Sequence, residues 1–292
     1  LSLTAEQIVR LKEQVTYDCL PENAAYAYHH FYNNCATKIR DILDELLGGT
    51  LGAATKETLA GRSLRDLIDA SMARWQFAIT RWAVFGLLNW EIDKPATRWE
   101  QMFLPYYLSV ELDELSQPAL PGNPPLVTQR ELVVGEQKGA PELPTSTFGF
   151  VFAVLLLLTA LAPSLLPEPW GRRASGMLIV GAGVLGGFYG TILVFSWIVS
   201  PYPETAATMT LFVLHPLHWL LVPAGIGVWR GKERWRYKTL WYVLVGTVIS
   251  GLVVLCSLTG VVPQRIWHYG IGACCLSVGL ATTLWLRRAH YK

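Results

Sequence analysis

The stretch TFGFVFAVLLLLTALAPSLLP, residues 147–167, carries no charge and is long enough to cross a bilayer as a helix, which takes about 20 apolar residues. Further apolar runs of similar length follow it. They cover residues 175–200, 207–229, 239–262 and 266–286. The sequence therefore predicts an all-α bundle of five transmembrane helices over residues 147–286.

Basic residues occupy alternate connections of this half. They occur at residues 172–173, at 230–238 and in the tail 287–292. Lys and Arg concentrate in the cytoplasmic loops of membrane proteins. We therefore expect a multi-pass protein of a bacterial cytoplasmic (inner) membrane, with a cytoplasmic C-terminal tail and with its N-terminal half extracytoplasmic.

Residues 1–146 have a mixed, charged composition, unlike the apolar half that follows. This contrast predicts an extracytoplasmic domain over residues 1–115. The Pro-rich segment 116–146 is predicted to be a linker into the membrane. The net charge of +2, without a basic stripe, argues against nucleic acid as a partner.

The chain opens on Leu1, without a visible signal peptide, and Thr4 with Gln7 forms a capping-box pattern for a helix over residues 5–16. These first residues read as the inside of a domain. We therefore expect that the native polypeptide extends upstream of Leu1.

The segment YAYHHFYNNCATKIRD, residues 26–41, contains the candidate nucleophile, Cys35. Its aromatic part suggests an extended segment or short strand over residues 23–33. Asn33 or Asn34 can then cap a helix in which Cys35 holds an early position. Cys35 shares one helical stripe with Ile39, so the pattern predicts that the thiol faces the packed side.

A helix start suits a nucleophilic cysteine because its unpaired N–H groups favour the thiolate and can bind an oxyanion. Asn34 is a candidate to orient the site, and His30 or His29 is a candidate base. The structural alternatives are a buried small residue or a Cys19–Cys35 disulfide. No CxxC pair occurs, so neither a metal site nor a cofactor is predicted.

Two histidines, His215 and His218, lie inside the third apolar run. Ionisable residues at membrane depth are functional suspects, but a neutral histidine also serves as a hydrogen-bonding residue within a helix bundle. Both interpretations stay open from the sequence.

The stretch YAYHHFYNNCATKIRDIL, residues 26–43, resembles a core motif of the DUF4105 family, to which Lnb-type lipoprotein N-acyltransferases belong. EIDKPATRWEQMFLPYYL, residues 91–108, resembles the second block of that family. The matching positions there are Asp93, Pro95, Trp99, Glu100, Phe103, Leu104 and Pro105. The resemblance covers roughly residues 1–112, and the family's histidine segment before the cysteine motif has no counterpart in this chain.

The resemblance implies an α+β extracytoplasmic domain, papain-like and similar to NlpC/P60 proteins, partly missing at its N-terminus. It implies a cysteine acyltransferase that moves a fatty acyl chain from a membrane phospholipid onto the diacylglyceryl-cysteine of a bacterial lipoprotein, through a Cys35 thioester. The resemblance assigns no base role to His29 or His30, so Asn34 and His30 remain candidates from the local pattern alone, and the general base is expected upstream of Leu1. The alternatives are an extracytoplasmic cysteine hydrolase, as a cell-wall peptidase or a phospholipase, and a non-catalytic membrane scaffold.

Overall fold

The chain divides into two compact units, each discontinuous in sequence. The computed structural model describes residues 1–72, 78–117, 120–131 and 147–291. The first unit comprises Leu1–Ala73 and Lys94–Leu143, and the second comprises Arg74–Asp93 and Pro144–Lys292. A segment from the predicted extracytoplasmic part thus belongs to the same unit as the apolar helices.

The first unit is mostly helical, and its described residues form a single sheet of two antiparallel strands. A papain-like sheet is therefore not shown by this part of the chain. Numbered along the chain, its elements are α1 (Ala5–Asp18), α2 (Cys35–Leu46), α3 (Thr50–Thr55), β1 (Leu59–Ser63), α4 (Leu64–Ser71), β2 (Pro95–Thr97), α6 (Arg98–Gln101) and α7 (Pro105–Glu114).

Side-chain caps fix where several of these helices begin. Thr4 forms a capping box with Gln7 at the start of α1, which confirms the predicted helix start. Ser63 and Thr97 form the same motif at α4 and α6. A cap of this kind satisfies backbone N–H groups that the helix leaves unpaired, so these polar residues set the element boundaries.

The aromatic segment before α2, which the sequence predicts to be extended or a short strand, contains a turn over residues 29–33. His29 N donates to Asn33 O at 2.9 Å, and Asn33 N donates to His29 O at 3.1 Å. Asn33 also donates from Nδ2 to Ala27 O at 2.7 Å. These hydrogen bonds fold the chain back on itself, because an asparagine side chain can replace a strand neighbour as a backbone partner.

Part of the predicted linker packs into the first unit. Leu126 is fully buried, and its N–H donates to Leu115 O at 2.8 Å. Residues 118–119 and 132–146 of that segment lie outside the described residues. The core that receives Leu126 consists of Leu47, Leu51, Met102, Leu108 and Leu115.

The second unit contains α5 (Ala78–Leu87) and a set of apolar helices. The helices of this unit after α5 are α8 (Thr147–Leu161), α9 (Trp170–Val199), α10 (Leu221–Trp229), α11 (Glu233–Leu258) and α12 (Trp267–Leu286). By length and composition, three helices of the described residues can cross a membrane, namely α9, α11 and α12.

The other two predicted spans are not single helices of full membrane length. The third is a bent pair, Pro203–Phe212 and Pro216–Trp229, with 41° between its parts, which counts as a fourth crossing if the pair forms one span. The first is a shorter apolar helix, Gly149–Leu165. Proline lacks the N–H that continues a helix and disfavours helical geometry in the preceding residue, which explains the break before Pro216.

Helix α5 is attached to the second unit by side chains that donate to its C-terminal backbone. Thr208 Oγ1 donates to Gly86 O at 3.0 Å, and Gln264 Nε2 donates to Leu88 O at 2.8 Å. Because the last carbonyls of a helix have no partner within it, these two donors complete the end of α5. In the opposite direction, Asn89 Nδ2, just after α5, donates to Pro203 O at 2.8 Å and adds a further bond within the unit.

Candidate functional site

Cys35 is the first residue of α2, as predicted, but its side chain is exposed. The predicted packed stripe is therefore wrong, since Ile39, one turn further on, is also 53% exposed. The buried residues of the helix are Ala36, Thr37, Arg40 and Leu43. The packed face is thus rotated by one position, and the thiol lies at the surface.

Asn34 is the N-cap of α2, and its amide is fully used. Its Oδ1 accepts from the N–H groups of Ala36 and Thr37, both at 2.9 Å. Its Nδ2 donates to His30 O at 2.9 Å and to Phe103 O at 3.0 Å. An amide side chain offers two acceptor and two donor positions. Asn34 therefore positions the helix start and has no hydrogen-bonding capacity left for a substrate.

The N–H groups at the start of α2 are accounted for almost completely. A helix leaves four N–H groups unpaired at its N-terminus. Asn34 N donates to Thr37 Oγ1 at 2.7 Å, and the N–H groups of Ala36 and Thr37 donate to Asn34. Among the described residues, the Cys35 N–H has no partner. One backbone donor thus remains beside the thiol.

The two segments that carry the family resemblance meet in the first unit. Arg40 is buried; its guanidinium lies 3.9 Å from the centroid of the Trp99 ring, and its Nη1 donates to Trp99 O at 3.1 Å. The rings of Phe31 and Phe103 are 5.3 Å apart and nearly perpendicular. The second segment therefore forms the support against which α2 and its cysteine are fixed.

The two neighbouring histidines have structural contacts. His29 Nδ1 accepts from the N–H groups of Phe31 and Tyr32, at 3.3 and 3.4 Å. The His30 ring packs edge-on against Tyr28, with 5.4 Å between centroids. Within the described ranges the Cys35 thiol makes no hydrogen bond. A base role for His30 stays a prediction.

All five cysteines are free thiols, so the alternative of a Cys19–Cys35 disulfide is not realised. Cys19 caps the end of α1 and is also exposed. The first unit thus contains two accessible thiols, of which only Cys35 lies at a helix start.

His215 and His218 form a cluster in the second unit at the break of the bent pair. Their Nδ1 atoms are 3.3 Å apart, and Tyr242 Oη lies 3.4 Å from His218 Nδ1. A Cβ on Gly186 of α9 would lie 2.7 Å from His218 Cδ2, so this glycine makes room for the ring. The contacts show how the ring is packed, and a functional role stays open.

Sequence reasoning did not identify Thr37 as a site residue. Its hydroxyl accepts from Asn34 N and donates to Asn34 O at 3.0 Å, which completes the capping box. The signal was present, because a hydrogen-bonding side chain three residues after an N-cap is the capping-box spacing. The role of the Phe103 carbonyl had no sequence signal, since it depends on tertiary contact.

The fold and the site together describe a membrane protein that carries an exposed helix-start thiol on its N-terminal domain. The chain belongs to the Lnb family. The family model described as Lnb transmembrane domain matches residues 143–290, and that described as Lnb N-terminal periplasmic domain matches residues 1–68, which include Cys35. No curated protein and no solved structure matches the chain.

Proposed function

We propose that this protein is a membrane-bound acyltransferase that moves a fatty acyl chain, through a thioester on Cys35, onto the α-amino group of the N-terminal cysteine of bacterial lipoproteins. The proposal rests on one observation above all. An exposed thiol and a backbone N–H without a partner in the described part of the chain belong to the same residue at the start of α2, in a periplasmic domain joined to membrane helices.

The geometry supports nucleophilic catalysis because both groups needed for acyl chemistry are held by a rigid cap. The thiol supplies the nucleophile, and the Cys35 N–H supplies a donor for the oxyanion of a tetrahedral intermediate. The buried Asn34 and Thr37 fix this helix start. Preorganised donors of this kind need no rearrangement when charge develops on the substrate.

The surroundings of the thiol suit a lipid substrate. Ile39 lies one helical turn from Cys35 and is 53% exposed, and Tyr32 is 50% exposed. A contiguous apolar patch at a surface marks a site that contacts apolar partners, and we propose that these two side chains form such a patch beside the thiol. An acyl chain can therefore lie along the exposed side of α2 while its ester carbonyl approaches the sulfur.

Two covalent steps complete the transfer. The Cys35 thiol gives up its proton and its sulfur attacks the ester carbonyl carbon. A C–S bond forms, the C–O bond breaks, and the leaving alkoxide takes up that proton to become the hydroxyl of a lysolipid. The amine of the diacylglyceryl-cysteine then attacks the thioester, an amide forms, and the thiolate is released as the amine loses its proton. The donor is a membrane phospholipid or the sn-2 ester of the lipoprotein itself, and the second source yields a lyso-form lipoprotein.

We further propose an inner-membrane location with a cytoplasmic C-terminus. The basic segments occur where α9 and α11 begin and after α12 ends. Contacts join these ends, since Arg172 Nη1 donates to Trp229 O at 2.9 Å and Arg287 pairs with Glu168. Basic residues gathered at one end of a helix bundle favour the cytoplasmic side.

The test is acylation of the purified protein by phospholipid, followed by intact-mass measurement. The wild type should gain the mass of one acyl chain and lose it when a diacylglyceryl-cysteine peptide is added. Cys35→Ala should gain nothing, whereas Cys19→Ala, the control at the other exposed thiol, should behave as the wild type. Equal acyl transfer by Cys35→Ala would refute the proposal.

Product analysis separates the remaining alternatives. N-acylated lipopeptide identifies a transferase. Free fatty acid or a cleaved cell-wall peptide, formed in a Cys35-dependent manner, identifies a hydrolase. A scaffold without catalysis predicts no product and no phenotype for Cys35→Ala.

A further inference from the structure

A polar cluster distinct from His215 and His218 lies in the second unit, at the end where α9 and α11 begin and α12 ends. It contains side chains that are buried although they are polar or charged. Arg236 is 7% exposed, Arg287 5% and Tyr291 6%. Buried cations are expected to be paired, so the partners of this cluster decide what it does.

The negative charge of the nearby carboxylates does not neutralise the positive charge of the arginines in this cluster. Arg287 pairs with Glu168 and donates to Leu166 O. Arg172 shares the same carboxylate, at 3.5 Å. Arg236 approaches only Glu233, at 3.5 Å, and that carboxylate is 60% exposed. Three arginines thus face two glutamates, and one of these is largely in solvent.

Three hydrogen-bond donors of the cluster have no partner among the described residues. They are Arg236 Nε, Arg287 Nε and the Tyr291 hydroxyl, and all are buried. An arginine Nε–H can only donate, so the two Nε–H groups cannot satisfy each other. The Tyr291 hydroxyl, which can also accept, bonds to neither of them. Each buried donor left without an acceptor costs roughly 1–3 kcal/mol. The group that would complete the hydrogen bonding of this cluster is therefore a hydrogen-bond acceptor.

Tyr291 keeps its proton in this environment. Burial raises its pKa to about 12, and Glu168 adds to the rise, although Arg172, Arg287 and Arg236 act in the opposite direction. The Arg236 guanidinium lies 5.7 Å from the centroid of the Tyr291 ring, so this cation is beside the phenol. At neutral pH the hydroxyl is thus a third donor beside two cationic ones.

We propose that this cluster binds an oxyanion of the phosphate class, supplied by the headgroup of an anionic phospholipid. Phosphate oxygens accept several charge-assisted hydrogen bonds at once and offset the surplus positive charge. The depth fits a headgroup, because Trp170 and Trp285 are 62% and 54% exposed near the same helix ends. Exposed tryptophans of membrane helices concentrate at the level of the headgroups.

The experiment measures lipid retention by the full chain, purified in detergent. Wild-type protein is incubated with phosphatidylglycerol or with phosphatidylcholine, and native mass spectrometry counts the bound lipid. Inorganic phosphate forms a third arm, added alone and as a competitor. We expect selective retention of phosphatidylglycerol, together with a rise in Tm that grows with its concentration.

Two variants test the assignment to these residues. Tyr291→Phe removes one hydroxyl and keeps the ring, and Arg236→Gln removes one charge. Each should weaken phosphatidylglycerol binding about tenfold, as expected for a lost hydrogen bond to a charged group. Arg234→Gln, on the same helix but exposed, should bind as the wild type. The lipid-free Tm of each variant shows whether it is folded.

The outcomes are distinct. Stabilisation by inorganic phosphate without any lipid preference keeps the oxyanion site but assigns it to free phosphate, which overturns the headgroup source. Equal retention of both lipids with no stabilisation by inorganic phosphate, or equal losses in Arg234→Gln and Arg236→Gln, overturns the site. Acylation of Cys35 is measured separately, so neither result depends on the proposed transferase activity.

Discussion

Asn34 and Phe103, 69 positions apart, are joined by a buried hydrogen bond of 3.0 Å from the Asn34 amide to the Phe103 carbonyl. This bond ties the start of α2 to the segment before α7. It also fixes the position of the helix backbone from which the Cys35 side chain projects. The position of the candidate nucleophile thus depends on a contact between two distant parts of the chain.

Asn34→Ala should therefore lower both stability and acylation of Cys35. It removes an N-cap, which costs about 0.5–2 kcal/mol, and it leaves the Phe103 carbonyl without this donor. Thermal unfolding and the rate of thioester formation measure the two effects. Asn33→Ala is the matched control, because the Asn33 amide donates to Ala27 O in an exposed position. Equal thioester formation in Asn34→Ala and the wild type would show that the cap does not position the thiol.

The ion pair of Arg98 with Glu111 should contribute far more to the free energy of unfolding than its pair with Glu114. Its Nε and Nη2 lie 2.9 and 2.6 Å from the two oxygens of Glu111, whose side chain is only 3% exposed. Hydrogen bonds to Glu111, and next to Glu114, raise the pKa of Arg98 above its usual value. Arg98→Met leaves a buried carboxylate and should cost about 3–5 kcal/mol.

The exposed partner provides the control for this pair. The Glu114 side chain is 59% exposed, so Glu114→Gln should cost at most about 1 kcal/mol. Comparison of the Tm values of the two variants checks the difference. Similar losses in both would mean that burial of Glu111 does not determine the energy.

Tyr107 should ionise at higher pH than an exposed tyrosine. Burial raises its pKa, against the opposing charge of Arg62, which donates to its hydroxyl at 3.2 Å. Because the folded pKa lies above the unfolded value of about 10, the stabilisation is complete below that pH and is lost as the pH rises through the folded pKa.

The absorbance of tyrosinate during an alkaline titration tests whether Tyr107 ionises after the exposed tyrosines. The difference between wild type and Tyr107→Phe should appear late in the titration, after the exposed tyrosines have ionised. The Tm difference between these two proteins should also shrink as the pH rises. An early difference signal would contradict the assigned burial effect.

Gly176 should be required for the packing of α9 against α10. A Cβ at this position would lie 2.7 Å from Gly225 O, a backbone atom that cannot move aside easily. Gly176→Ala should cost about 1–3 kcal/mol through overpacking. Gly181 lies on the same helix, and a Cβ there would meet nothing within 4 Å, so Gly181→Ala should be neutral or slightly stabilising. The Tm in detergent distinguishes the two.

Local patterns predicted the helix starts well, because caps involve residues close in sequence. Thr4 and Asn34 both cap the helices that the sequence assigned to them. The buried face of α2 was predicted wrongly for a specific reason. Ile39 looks more suited to a core than Arg40, but Arg40 is buried because its guanidinium stacks on Trp99 and donates to its carbonyl. Hydrophobic periodicity has no means to anticipate such a pair.

The membrane half shows the same division. The uncharged runs indicated apolar helices from composition alone, since a bilayer core sets the length and polarity of what crosses it. The bend has a local cause in Pro216, but neither the bend nor the shortness of the first apolar helix was evident from the composition of these runs. The attachment of residues 74–93 to the second unit depends on donors such as Gln264.

The sequence by itself thus determined the membrane character, the helix start near Cys35 and a cap at Asn33 or Asn34, because these follow from composition and short-range hydrogen bonding. Only the tertiary structure decided that Asn34 is the cap and is fully occupied by backbone partners, that the thiol is exposed, and that donors without a partner among the described residues gather around Tyr291. Such properties depend on the burial and pairing of groups far apart in the chain, and these are fixed only when the chain has folded.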